Sequence, residues 1–508
     1  MSFKYDTAAR DETRFQEFLY ARGYLLVYGQ AIPPKPDWRS VALGSLTLSY
    51  DPIQPFALAV APQGSWQLRP EPPSWIAILG RVLDLQDCSI GNATVAEKAA
   101  RALGRSEDAL FDLIDWWNGR FLLVYGLGGK TRVMTDSCAA RSAYYSFKGG
   151  VTIASHARIA AERTGAGSCP KMAECAKDPR WEGSVGQFPG NVTPFTDVYV
   201  LTPNTLIDVE DRKIRRFFPR APLDRVSTEQ AAGIAGPLLR STALAWAKAY
   251  PLEVSLTAGI DSRLTLSALK DGRDKIGVFT YVAAGTETHE TDAAVAQEIA
   301  SSLDLNYKKL DLVKGKGPAW EAFRQAHSQN VYTTHRVDAA WAYLNAFLPG
   351  TIHIRSNAGE IARAFYRKSG RVDSRPCTPK CVADVFKPKR MGDNAFVVES
   401  FERFFDVAQF ELVANYDPWD MLYWEQRMSS WHSSLMLEAD PACDTLVLFN
   451  SRAVLAPLLS VPVDDRVKSL TFYRIIEMLW PELLSWKVNC RSVPKELERS
   501  RPIRLGCE

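Results

Sequence analysis

Leu252-Glu253-Val254-Ser255-Leu256-Thr257-Ala258-Gly259-Ile260-Asp261-Ser262-Arg263-Leu264-Thr265-Leu266 is the stretch whose reading decides the fold. Leu252, Val254 and Leu256 alternate as in a half-buried strand, and Arg263 to Lys270 then carries Leu264, Leu266, Ala268 and Leu269 at helical spacing. The turn between them is small and polar. A strand that ends in Thr257-Ala258-Gly259 and feeds a helix through Asp261-Ser262 leaves backbone N–H groups unpaired at the helix start, where the dipole favours an anion. The stretch therefore reads as a pyrophosphate cradle, with Ser255, Leu256, Thr257, Ala258, Gly259, Asp261 and Ser262 as its binding residues. The plainer alternative is an ordinary strand-turn-helix in which Asp261 and Ser262 only cap the helix.

The residues that follow place the loop in a larger pattern. Lys275 to Val282 reads as a second strand, His289 to Leu303 as a helix, Asn306 to Leu312 as a third strand, Trp320 to His327 as a helix and Thr351 to Arg355 as a fourth strand. Strands alternating with helices predict a parallel sheet covered on both faces, with ligands at the carboxyl ends of the strands. Ser356-Asn357-Ala358-Gly359-Glu360 ends the fourth strand and opens a helix, so it is expected beside the first loop, across the crevice. Upstream, Thr228 to Lys248 reads as a long amphipathic helix, and Arg215 to Ser227, with Pro219 and Pro222, as a linker.

Before that linker the text is strand-dominated. Tyr24–Tyr28, Phe56–Val60, Trp75–Gly80, Arg120–Tyr125 and Thr131–Thr135 are short apolar runs broken by Gly and Pro, with helical pattern confined to pieces such as Val95–Leu103 and Glu107–Leu113. The fold class expected is α/β: an N-terminal α+β sandwich-like domain over 1–219, then a parallel-sheet domain over 228–508 whose part beyond Arg390 is helical and aromatic.

The 257–262 loop resembles the S-G-G-x-D-S loop of the ATP pyrophosphatases, specifically of the asparagine synthetase family. Gly259, Asp261 and Ser262 match outright, while Thr257 and Ala258 stand in the serine and first glycine places. Ser356 to Glu360 resembles that family's S-G-x-G-x-D-E signature, with Gly359 where it has aspartate. Trp117-Asn118-Gly119-Arg120-Phe121 followed by Thr135-Asp136 through Arg141 to Tyr144-Tyr145 is similar to its amidotransferase domain, and Pro189–Phe195 with Val198–Asn204 to that domain's closing strands. Further on, Tyr423–Ser429 is similar to a D-R-M-S segment and Phe449-Asn450-Ser451-Arg452 stands where a P-F-L-D run would.

The resemblance implies an N-terminal Ntn-type glutaminase-like domain and an adenine-nucleotide ATP pyrophosphatase domain. It implies ATP and Mg²⁺ as cofactors, with Asp261 and Glu360 as metal ligands, since hard cations take oxygen donors. It places Asp292 and Ser356 near the nucleotide, gives Lys487, after Leu479-Trp480-Pro481, the place of a lysine that approaches the acyl adenylate, and offers Tyr366 and Glu425 as bases for an attacking amine. In the family the glutaminase nucleophile is a cysteine directly after the initiator methionine. Here Ser2 stands there and no Cys precedes Cys88, so no glutaminase activity is expected.

At 508 residues two or three domains are expected, and 46% apolar with 23% charged residues describes an ordinary globular chain. A formal charge of +3 argues neither for nor against nucleic acid, but no basic tract with interleaved aromatics stands out, so no nucleic-acid partner is expected; no apolar run has membrane-spanning length and the start lacks a signal peptide, so a cytoplasmic protein is expected. The nine cysteines are scattered, and Cys377 and Cys381 have no second Cys or His pair at metal-ligand spacing. Small-molecule or peptide carboxylates and amines are the partners this chemistry calls for, with a homodimer as the assembly kept in view. Three functions stay open: an amide-forming ligase using an amine carried by a substrate, as in β-lactam synthetase-like enzymes; an asparagine synthetase using ammonia or glutamine; and a non-catalytic binding relative.

Overall fold

In the computed structural model, residues 11–61, 74–181, 188–331, 336–368, 370, 372, 374–386 and 390–489 are described. Five strands after residue 250 form one parallel sheet: β1 (Leu252–Ser255), β2 (Ile276–Ala283), β3 (Asn306–Leu312), β4 (Ile352–Arg355) and β5 (Asp444–Val447), in spatial order β3-β2-β1-β4-β5. Val254 pairs with Val278 on one side and Ile354 on the other, so β1 is the central strand. The chain adds β2 and β3 outward on one side and β4 and β5 on the other. The reversal lies between β1 and β4, which is where such sheets open a ligand crevice at their carboxyl ends.

The sequence pattern marks four of these strands. β5 escapes it because Asp444-Thr445-Leu446-Val447 is short and buried on both faces, with no alternation to read. Residues within one strand divide between the two faces. Val278 joins Leu252, Val254, Ile352 and Ile354 in the main core, whereas Phe279 packs with Tyr343 and Phe347 on the other face. Helix α1 (Thr228–Ala249) sets Leu239, Ala243 and Trp246 on the first face and starts at a capping box formed by Ser227 and Gln230. Helix α2 (Ile260–Ser267) follows β1, and α3 (Glu287–Ser302) follows β2. Helices α4 (Pro318–Asn330) and α5 (Val337–Ala346) lie between β3 and β4. Helix α2 begins earlier than its apolar spacing predicts, because the Gly259 carbonyl already accepts the Arg263 N–H.

The N-terminal part stacks two antiparallel sheets. One is built around Tyr24–Tyr28 and Thr152–Ala154, the other around Trp75–Asp84 and Trp117–Leu127. Leu26, Leu48 and Ile153 from the first meet Ala77, Leu122, Val124 and Val133 from the second, so the core sits between the sheets. Helix Asn92–Leu103 covers the second sheet, and Ala157–Thr164 together with α4 covers the first. This is the α+β sandwich that the strand-rich text predicts.

The 215–227 linker differs from expectation at its start. Lys213–Arg216 is a strand paired to Thr205–Asp208, so Arg215 and Arg216 belong to the sheet and the irregular stretch begins at 217. Asn118 helps to hold the two parts together. Asn118 gives Nδ2 to the carbonyls of Val447 and Leu448, both at 3.0 Å, and accepts the Trp246 Nε1–H at 2.9 Å. Gly119 has φ +137°, and a Cβ there would lie 2.2 Å from the Arg81 carbonyl oxygen, so only glycine lets that strand approach its neighbour. Ser2 lies outside the described residues. Among those described, no helix is long and apolar enough to cross a membrane.

Candidate functional site

The loop after β1 is held by its own side chains. Ser262 Oγ accepts the Thr257 N–H at 3.1 Å, Thr257 Oγ1 accepts the Gly259 N–H at 3.1 Å, and Asp292 Oδ1 accepts the Ala258 N–H at 2.8 Å. Gly259 has φ −77° and ψ 156°, an extended conformation that any residue adopts. Ala258, in a glycine place of the resembled motif, is not among the residues with positive φ, so it fits there without backbone strain. The N–H groups of Ile260, Asp261 and Ser262, at the start of α2, have no backbone partner among the described residues. Asp292 reaches the loop from α3, and burial raises its pKa above the ordinary aspartate value. Ser356 gives its hydroxyl to Thr265 Oγ1 at 2.8 Å, which ties the second loop to α2. Ser255 and Leu256 are backbone members of the site: Ser255 pairs with Phe279, and the Leu256 N–H reaches the Phe279 carbonyl.

Asp261 sits at the meeting of the two loops. Its Oδ2 is ion-paired with Arg363, and its Oδ1 is buried without a partner among the described residues. Burial pushes its pKa up to about 6 against the pull of Arg363, and the nearby Glu360 adds to the rise. A Cβ on Gly359 would lie 2.8 Å from that Oδ1 as well as 3.1 Å from the Phe472 ring. The position that carries aspartate in the resembled signature is thus filled here by the Asp261 carboxylate itself. Arg363 is buried, gives Nε to Ser469 Oγ at 2.9 Å and lies over the Phe472 ring. Sequence reasoning missed it; the trace it leaves is one arginine inside the apolar run Ile361-Ala362-Arg363-Ala364-Phe365.

Glu360 Oε2 accepts the Tyr423 hydroxyl at 3.0 Å, and burial raises the pKa of that phenol well above its ordinary value. Tyr366 is buried against Phe365, Trp419 and Tyr423, close to this pair. Glu425 belongs to a different set of contacts. It is fully buried, and its two oxygens take Arg216 at 2.6 and 2.8 Å, with Asn204 Nδ2 at 3.1 Å. Both of its oxygens are hydrogen-bonded at the boundary between the two parts of the chain.

Lys487 is exposed, and its backbone is fixed from below. The buried Arg263 gives Nη1 to the carbonyls of Trp486 at 2.6 Å and Leu483 at 3.2 Å, and Nη2 to that of Lys487 at 2.5 Å. Burial lowers the Arg263 pKa to about 10. The Asn489 N–H then reaches the Ala258 carbonyl at 3.0 Å, so this segment is laid against the loop.

For Mg²⁺ the donor set is a pair, not a cage. Among the described residues no three His, Cys, Asp or Glu gather to hold a metal. A pair is nonetheless what Mg²⁺ uses when substrate phosphates supply its other ligands. The partnerless buried Oδ1 of Asp261, with Glu360 near enough to raise its pKa, fits that role.

No family model matches the chain, and no curated protein matches it. Among solved structures it is similar to a glutamine phosphoribosylpyrophosphate amidotransferase from B. subtilis complexed with ADP and GMP, at 12% identity over 70% of this chain and 73% of that one, with a TM-score of 0.23. It is similar to a glutamine-dependent NAD+ synthetase from Acinetobacter baumannii in complex with ADP, at 14% identity over 42% of this chain and 38% of that one, TM-score 0.19. A structure of the allosteric regulatory enzyme of purine biosynthesis matches at 11% identity over 70% of this chain and 73% of that one, TM-score 0.23. Scores of this size assign no activity to the chain.

Proposed function

We propose that the chain is an ATP-dependent ligase that adenylates a carboxylate and couples it to an amine, releasing AMP and pyrophosphate. The observation that carries this reading is the placement of two helix-start loops, 257–262 and 356–360, at the carboxyl ends of adjacent strands β1 and β4, where the strand order reverses. The N–H groups of Ile260, Asp261 and Ser262 would hold the leaving pyrophosphate, and Lys487 the charge that develops at the adenylate. Asp261 and Glu360 would hold Mg²⁺, which when bound offsets phosphate charge. Tyr423 and Tyr366, beside Glu360, mark the place for the attacking amine. The 1–219 part serves as a glutaminase-like partner domain without glutaminase activity, and 228–508 carries the chemistry.

ATP–pyrophosphate exchange measured across a panel of carboxylates with Mg²⁺ tests this. Exchange with at least one carboxylate is expected, and exchange that requires aspartate would select an asparagine synthetase within the same chemistry. A second reading, a non-catalytic nucleotide-binding protein, is favoured by one feature: Ser262, Thr257 and Asp292 already occupy three of the loop N–H groups. ATP binding without exchange on any carboxylate would select it.

A further inference from the structure

Arg363 closes the 3₁₀-helix Asn357–Arg363, and Glu360 lies one turn before it. Such a helix takes about three residues per turn, so the two side chains leave it on the same face. From that face Arg363 reaches the other loop and pairs with Oδ2 of Asp261, its ion-pair partner among the described residues. The guanidinium is fixed in place and only 5% exposed: Nε donates to Ser469 Oγ at 2.9 Å, and its central carbon lies 5.7 Å from the centre of the Phe472 ring. Glu360 turns elsewhere, with Oε2 accepting the Tyr423 hydroxyl at 3.0 Å. Oδ1 of Asp261 is buried and has no partner among the described residues. Gly359 keeps the space beside that atom free of a side chain, since a Cβ there would stand 2.8 Å from it.

Two carboxylates and a guanidinium therefore meet where the proposed function puts Mg²⁺, and the exposed Lys368 adds a second cation that acts on Asp261. Mg²⁺ gives up its water reluctantly and is held by carboxylates together with substrate phosphates. A carboxylate pair whose charge is already offset gives a free divalent cation little to bind. We infer that Arg363 is a positioning residue that keeps the Asp261–Glu360 pair closed to free metal, so that the metal enters only together with the polyphosphate of the nucleotide. The phosphates bring the negative charge that the offset pair lacks. Arg363 holds Oδ2 and thereby fixes the rotation of the Asp261 carboxylate, which leaves Oδ1 as the oxygen for the metal. An arginine that only tied the two loops together would show the same contacts, but its removal would not open a metal site. Its removal here leaves a largely buried carboxylate without its paired cation, a state that a divalent ion relieves. The inference rests on the Mg²⁺ assignment within the ligase reading and adds to it the order in which metal and nucleotide arrive.

Ultrafiltration of the full chain with Mn²⁺, an ion that suits the same oxygen donors, tests this by counting the metal the protein retains, without any turnover. A buffer at about pH 8 keeps protons from competing for the carboxylates. The unmodified chain is expected to retain Mn²⁺ in the presence of α,β-methylene ATP, which cannot release pyrophosphate, and hardly at all without it. Arg363→Met should bind Mn²⁺ without nucleotide roughly tenfold or more tightly than the unmodified chain. Arg363→Lys, which keeps the charge, should not show this gain, and adding Asp261→Asn to Arg363→Met should abolish it. A folded Arg363→Met chain that retains no more Mn²⁺ than the unmodified one would overturn the inference and leave Arg363 as a tie between loops. If Arg363→Met fails to fold by circular dichroism, the unmodified chain decides: equal retention with and without the nucleotide, or none in either case, would overturn it. ATP–pyrophosphate exchange is read separately, so its absence beside the expected Mn²⁺ results would sink the ligase reading alone.

Discussion

The Asn489 N–H donates to the Ala258 carbonyl at 3.0 Å, so a residue near the C-terminal end of the described chain is fastened to the loop at the end of the central strand. Arg263, in the helix that follows that loop, clamps the carbonyls of Leu483, Trp486 and Lys487 from the other side. Two contacts of opposite direction thus set the path of 483–489 across the mouth of the crevice. An exposed lysine on such a path is positioned by its backbone, and its side chain stays available.

Lys487→Ala is expected to lower AMP formation by roughly 10²- to 10³-fold, the usual loss for one preorganised electrostatic group. ATP affinity should hardly change, because an interaction realised mainly in the transition state is worth little to the bound ground state. Parallel assays of AMP release and equilibrium ATP binding check this. Equal turnover in the two proteins would remove the lysine from the chemistry.

Arg263→Met tests the clamp itself. The replacement keeps apolar bulk but leaves three carbonyls without their donor, and each buried one left unsatisfied costs about 1–3 kcal/mol. A lower urea midpoint is expected, together with a loss of AMP formation comparable to that of Lys487→Ala. Stability lost with turnover intact would show that the segment keeps its path without Arg263.

Glu425→Ala should destabilise the whole chain. It leaves Arg216 unpaired at the boundary between the two parts, and breaking one side of a buried ion pair costs about 3–5 kcal/mol. Thermal unfolding of the variant is expected to shift markedly downward, and any AMP formation measured well below the new transition should persist. A stable variant with no turnover would instead restore Glu425 as a base.

The parallel sheet was legible because β1, β2 and β3 alternate with helices at clear periodicity, and the loop residues Thr257, Gly259, Asp261 and Ser262 stand in one short run. What stayed hidden has a common physical cause. Glu425 and Arg216 are 209 residues apart in sequence, Asp261 and Arg363 are 102 apart, and ion pairs across such separations leave no local pattern. The ten-residue π-helix Tyr423–His432 was equally unreadable, since Ser429, Ser430 and Ser433 turn their hydroxyls onto its carbonyls and look in sequence like ordinary helix-surface serines. The N-G-x-F run was legible as a motif, yet Asn118 works in the structure as a clamp between sheets.

Glu438→Gln carries a prediction about pH. The folded-state pKa of about 8 lies above the ordinary value of 4.5, and burial is its main cause. Between those values the folded chain keeps the proton while the unfolded chain gives it up. The contribution of Glu438 to stability is therefore fully present below about pH 4.5 and is lost as pH rises through about 8. The loss runs at up to about 1.4 kcal/mol per pH unit. The amide that replaces the carboxyl does not titrate, so the stability of the variant relative to the unmodified chain should improve by up to about 3 kcal/mol from about pH 5.5 to about pH 7.5. Urea unfolding of both proteins at the two pH values reads this directly. A stability difference that stays the same at the two pH values would mean that Glu438 ionises normally, with water or a counter-ion reaching it.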